Sequence, residues 1–253
     1  MNAKTDYIAV FDSGVGGISV LRQLRKILPL EKFLYFGDSA NAPYGTRSRE
    51  EIQALALNVA EKLVKRDIKA LVVACNTATA AAIDVLRKTY PDLIVVGMEP
   101  ALKPAADRFP GGTVGVLATP VTLREEKFKQ LVSLYGGLCQ VVPLPAPGLV
   151  ELVEQGKADG EEARKLLETL LTPWVGKLDA LVLGCTHYPF AVKAIQGVVG
   201  ENVVLFDGGY GTARETKRRL EAAGLLSQEE GQILMENSLG SRELLALSWE
   251  LLG

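Results

Sequence analysis

No apolar run in this sequence approaches the roughly 20 residues that a bilayer span requires. The first residues, MNAKTDYIAVFDSG, also lack the extended apolar region and cleavage site of a signal peptide. Cysteine is scarce, with three in 253 residues, and Cys75, Cys139 and Cys185 are too scattered for a disulfide framework. There is one histidine, and no acidic or basic block; the net charge is −2. That balance gives no reason to expect nucleic acid or an anionic membrane as partner. With 48% apolar and 23% charged residues, disorder is excluded and a large core is available. The expectation is a cytoplasmic protein with reduced thiols.

What is present is a regular pulse of short apolar runs, at 8–11, 33–36, 70–74, 93–97, 114–118, 139–142, 180–184 and 203–206. Most lack the polar alternation of a half-exposed strand, so they read as parallel strands buried on both faces. Helical spacing fills the gaps: Ile18, Leu21, Leu24, Ile27 and Leu28, then 51–65 and 161–171. Such alternation predicts an open α/β architecture. The chain also echoes itself. Lys69 followed by ALVVACNT resembles Asp179 followed by ALVLGCTH, and IAVFDS at 8–13 is echoed more weakly by VGVLAT at 114–119. Two related α/β lobes fit this better than one long sheet, with a boundary in GMEPALKP at 97–104. The expected division is 1–97 plus 208–253 for the lobe carrying Cys75, and 98–207 for the lobe carrying Cys185.

Ligands of open α/β sheets collect beyond the carboxyl ends of the strands. Here those ends carry Asp12 and Ser13, Asp38, Cys75 with Asn76 and Thr77, Thr119, Cys185 with Thr186 and His187, and Asp207. A lone cysteine is by default an inert core residue, and Cys139 fits that default. Cys75 and Cys185 do not, because the same strand-end context occurs twice. A thiol titrates near roughly 8.5, so modest stabilisation makes its thiolate a usable base. His187 is placed to tune Cys185 or to bind substrate. No CxxC or HxxxH spacing supports a zinc site, and no lysine motif marks pyridoxal phosphate. DSGVGG at 12–17 opens a helix after the first strand and reads as an anion cradle or as a tight turn. It matches no nucleotide-binding motif. NAPYGTRS at 41–48 is a polar loop that lines a site or makes a turn. Glu151 and Glu154 share one face of a helix expected after Pro147.

Together, DSGVGG, PYG (43–45), ACNTAT (74–79), ATPVT (118–122) and GCTHYP (184–189) resemble, in the same order, the motifs of bacterial glutamate racemases. The resemblance covers essentially the whole chain. It implies two pseudo-symmetric lobes with mostly parallel sheets and an active site in the cleft between them. It implies interconversion of L- and D-glutamate with no cofactor and no metal, the D-isomer serving peptidoglycan synthesis, and a homodimeric assembly. By the same resemblance Cys75 and Cys185 are the two catalytic bases, the first deprotonating the D-isomer and the second the L-isomer. Asp12, His187 and Glu154, with Glu151 as second choice, match the groups that assist them. Substrate contacts fall on Asp12, Ser13, Pro43, Tyr44, Gly45, Asn76, Thr77, Thr119, Thr186 and His187.

Two departures stand beside the expected cleft: GGYG follows Asp207, and Ala146 replaces a cysteine common before the proline. Two rival readings are a related enzyme, such as an aspartate racemase, and a non-catalytic carboxylate-binding module. The second thiol counts against the module.

Overall fold

In the computed structural model, residues 4–253 are described. The strands are β1 (Tyr7–Asp12), β2 (Lys32–Gly37), β3 (Ile68–Val73), β4 (Ile94–Gly97), β5 (Thr113–Ala118), β6 (Gln140–Pro145), β7 (Ala180–Leu183), β8 (Val204–Asp207) and β9 (Gln232–Asn237). The helices are α1 (Ile18–Ile27), α2 (Arg49–Val64), α3 (Asn76–Thr89), α4 (Leu102–Arg108), α5 (Pro120–Arg124), α6 (Glu126–Tyr135), α7 (Leu149–Glu154), α8 (Glu161–Leu171), α9 (Val192–Val199), α10 (Gly209–Ala222) and α11 (Arg242–Leu252). They build two sheets, ordered β4-β3-β1-β2-β9 and β6-β5-β7-β8. Every strand pair in both is parallel.

The apolar runs without alternation became the inner strands. β3 and β7 are buried throughout, and β1 and β5 are buried after their first residue. In the first sheet Ala9, Phe11, Leu71 and Val73 pack on α2 and α3, while Ile8, Val10, Ala70 and Val72 meet α1, α10 and α11. The second sheet divides likewise: Leu117, Leu181 and Leu183 face α7, α8 and α9, and Val114, Val116, Ala180 and Val182 face α4 and α6. Each lobe is therefore a sheet between two helical layers, the arrangement that parallel strands need.

The edges read differently. β6 contains Pro143 and Pro145, both exposed, and lies at a sheet edge where a missing N–H costs no ladder bond. β9 was not among the expected strands. Its sequence, QILMEN, mixes polar and apolar residues because it is the other sheet's edge, pairing only with β2.

The chain crosses between the sheets at 98–101 and again at Gly208. A Cβ on Gly208 would stand 2.5 Å from the Glu99 carbonyl oxygen, so the two crossings touch and the residue there must be small. Gly208, the first residue of GGYG, is thus accounted for by close packing of the crossings.

Candidate active site

Each cysteine follows a strand where the strand order reverses, the place at which open α/β sheets leave a crevice. From β1 the first sheet runs to β2 on one side and β3 on the other; Asp12 ends β1 and Cys75 follows β3. From β5 the second runs to β6 and β7; Thr119 follows β5 and Cys185 follows β7 after Gly184. Position in the sheets, which the sequence does not reveal, makes the two thiols equivalent.

Cys75 is the N-cap of α3, its Sγ accepting the Ala78 N–H at 3.4 Å and lying 3.7 Å from Ser13 Oγ. A helix N-terminus favours thiolate, yet burial and then the Asp12 charge push this thiol up to about 12. Cys185 has a different neighbour: its Sγ is 3.7 Å from His187 Nδ1. His187 Nε2 donates to Glu154 Oε1 at 2.6 Å, and the same oxygen accepts the Val15 N–H at 2.7 Å. Burial opposes charge on His187, but Cys185 and Glu154 outweigh it and hold the ring well above its usual value. Burial likewise opposes ionisation of Glu154, and the His187 hydrogen bond and charge, with the Val15 N–H, still hold it below the usual range. One cysteine thus sits beside a carboxylate and the other beside an imidazolium.

Asp12 joins the two halves. Its Oδ1 accepts the Gly14 N–H at 2.8 Å and its Oδ2 accepts the Thr186 hydroxyl at 2.9 Å. Burial lifts its carboxyl to about 6, against the His187 charge and these two hydrogen bonds. The DSGVGG turn is glycine-rich for a visible reason. A Cβ on Gly14 would lie 1.8 Å from Glu154 Oε1, and one on Gly16 would lie 2.3 Å from the His187 ring.

The remaining expected residues gather on the same junction. Thr77, Thr119 and Thr122 bring three hydroxyls within 3.0 to 3.1 Å of one another, linking α3 to α5. A Cβ on Gly45 would stand 2.9 Å from Thr119, so the loop of Pro43 and Tyr44 is packed against the second lobe. The Tyr44 hydroxyl donates to Asp38 at 2.7 Å. Asn76 is buried with both amide atoms unpartnered, the condition of a side chain shaped for a polar guest. Cys139 lies apart, before β6, with its Sγ near the Tyr135 carbonyl. Among the described residues no three His, Cys, Asp or Glu side chains gather as a metal cage.

Sequence reasoning passed over three residues here. Thr122 closes the hydroxyl triangle, Ser19 donates to the Thr186 carbonyl at 2.9 Å, and the Tyr35 hydroxyl donates to the Gly14 carbonyl. Thr122 ends the ATPVT motif. Ser19 and Tyr35 are embedded in apolar periodicity and give no signal of their own.

The model of the Asp/Glu/Hydantoin racemase family matches residues 18–216. Glutamate racemase of Clostridium kluyveri is 49% identical over 256 aligned residues, covering 100% of this chain and 99% of that protein. Among solved structures, Escherichia coli glutamate racemase, in complex with L-glutamate and an activator, superposes with a TM-score of 0.86 at 32% identity, over 97% of this chain and 95% of that one. Glutamate racemase of Francisella tularensis, in complex with D-glutamate, superposes with a TM-score of 0.85 at 28% identity, over 98% and 94%. No helix among the described residues is long and apolar enough to cross a membrane. The chain belongs to the Asp/Glu/Hydantoin racemase family, and it matches the glutamate racemases of that family from end to end.

Proposed function

We propose that this enzyme racemises glutamate by a two-thiol mechanism, with Cys75 and Cys185 on opposite faces of the α-carbon. The observation that carries the reading is the pair of thiols at equivalent reversal points of two sheets, each with its own charged neighbour. Inverting a stereocentre needs a base on one face and an acid on the other. Cys75, held at about 12 by burial and Asp12, is a protonated acid at neutral pH. His187 is a cation 3.7 Å from Cys185, the charge with which a thiolate pairs.

In the L-to-D direction Cys185 takes the α-proton: the C–H bond breaks, an S–H bond forms, and the electron pair stays on carbon. Cys75 then gives its proton to the other face and is left as thiolate. The return direction uses the same groups in reverse. The α-ammonium of the amino acid, set beside Asp12, offsets the charge that holds Cys75 up. Positioned acid–base groups contribute typically ~10²–10⁴-fold. The rest falls to the polar groups that hold the two carboxylates, for which Ser13, Tyr44, Gly45, Asn76, Thr77, Thr119 and Thr186 are the candidates.

The lobes we assign are 1–97 with 208–253 and 98–207, supported by the pairing of β9 with β2 and by the crossings at 98–101 and Gly208. The homodimer and the cytoplasmic location implied by the resemblance are part of the same proposal, and sedimentation tests the first. Circular dichroism of L- and D-glutamate, then of aspartate, incubated with enzyme alone is the direct test. Each glutamate enantiomer should lose its signal, in protein dialysed against a chelator as in untreated protein. Faster turnover of aspartate would favour the rival racemase, and inert substrates would favour a binding module.

A further inference from the structure

The Gly14–Val15 peptide is held from both sides. Its carbonyl accepts the Tyr35 hydroxyl at 2.5 Å, and its N–H donates to Glu154 Oε1 at 2.7 Å. In a planar trans peptide these two groups point in opposite directions, so fixing one aims the other. Tyr35 comes from β2, in the first lobe, and Glu154 ends α7, in the second. The approach is built for. A Cβ on Gly37, two residues after Tyr35 on the same strand, would lie 2.7 Å from the Gly14 carbonyl oxygen, and Gly14 itself has room only for hydrogen against Glu154. Beyond Glu154 the contacts continue to His187 Nε2 and, through Nδ1, to the Cys185 sulfur.

We propose that Tyr35 is a positioning residue for Cys185: by gripping the Gly14 carbonyl it aims the Val15 N–H at Glu154, and Glu154 in turn orients His187 beside the thiol. This rests on the roles of His187 and Cys185 proposed above. Tyr35 is fully buried and its ring packs in the first sheet's core against α1 and α10. Burial, with Asp12, Glu154 and Cys75 nearby, holds its phenol well above the usual value, so the hydroxyl remains a donor. The ionisable groups bearing on His187 are Cys185, Glu154 and Asp12. None of them is Tyr35, which touches the dyad only through the backbone.

The chain's single histidine makes the test direct, because one imidazole N–H resonance reports one site. A hydrogen bond as short as 2.6 Å between charged partners places the Nε2 proton far downfield. In Tyr35→Phe, which keeps the ring and removes the donor, that resonance should move upfield and broaden, as it should in Glu154→Gln. Loss of one such hydrogen bond predicts a roughly tenfold fall in kcat/KM. The fall must be equal in both directions, since the two enantiomers have equal free energy. If Tyr35 acts through Glu154, Tyr35→Phe with Glu154→Gln should be little slower than Glu154→Gln alone. Additive losses, or an unmoved His187 resonance, overturn the role of Tyr35. Should Tyr35→Phe fold poorly, Gly37→Ala decides: its Cβ would lie 2.7 Å from the Gly14 carbonyl oxygen and must displace it from the Tyr35 hydroxyl, so the His187 Nε2 proton should move upfield there too, and an unmoved resonance overturns the proposal. Full turnover in Cys185→Ser would instead defeat the two-thiol reading itself, so the two failures are distinct.

Discussion

Thr186, beyond β7 of the second lobe, donates its hydroxyl at 2.9 Å to Asp12, which ends β1 of the first. The carboxyl that receives it is fully buried and titrates near 6 rather than at the ordinary 3.8. This cross-lobe contact therefore rests on a charge that the fold would rather not carry.

The folded state binds the Asp12 proton more tightly than the unfolded chain does. Its contribution to stability is complete below pH 3.8 and is lost as pH rises toward 6. At pH 7.5 the ionised group costs on the order of 2–3 kcal/mol. Asp12→Asn should therefore raise Tm at pH 7.5, show no such gain at pH 4, and lower turnover. A Tm gain independent of pH between these values would mean that Asp12 is not ionised under strain.

Cys75→Ser and Cys185→Ser should each abolish racemisation of both enantiomers, because a serine hydroxyl is far too weak a base. Cys139→Ser should leave turnover nearly unchanged, since Cys139 packs in the second lobe's core away from the site, with a 4.0 Å contact to the Tyr135 carbonyl. Initial rates by polarimetry check all three. Near-normal turnover in either of the first two rules out one thiol per face.

Two thiols on separate lobes also predict where hydrogen comes from. L-glutamate turned over in D₂O should give D-glutamate carrying deuterium at Cα, while the L-isomer remaining at low conversion stays largely protiated. Mass spectrometry after chiral separation reads both pools. Protiated D-product would mean that one mobile base carries the same proton across.

Gly14→Ala probes the contact between the DSGVGG turn and α7. The added Cβ would lie 1.8 Å from Glu154 Oε1, so the carboxylate must leave the Val15 N–H and His187. Losing these charge-assisted bonds predicts a fall of about tenfold to a hundredfold in kcat/KM. Overpacking adds a stability cost of about 1–3 kcal/mol, visible as a lower Tm. Unchanged kinetics would show that Glu154 has no part in turnover.

Much of this was legible in the residues alone. Strands buried on both faces must be apolar throughout, so β1, β3, β5 and β7 announced themselves. α8 spans Glu161–Leu171 as its spacing indicated, and the repeated strand-end cysteine pointed to two lobes. DSGVGG reads as an anion cradle or a tight turn, whereas the structure gives Gly14 and Gly16 to close packing against Glu154 and His187. The rest depended on what each residue faces. β9 escaped notice because an edge strand needs no uniform apolar pattern. Glu151 and Glu154 share a helix face, and only the docking of α7 against the DSGVGG turn puts Glu154 on Val15 and His187. Tyr35 reads as one more core aromatic until the Gly14 carbonyl is brought to its hydroxyl. Sequence determines local periodicity and the chemistry available at strand ends. The protonation of Cys75 and the pairing of His187 with Glu154 are set by burial and by charges distant along the chain, which meet only once each lobe has folded.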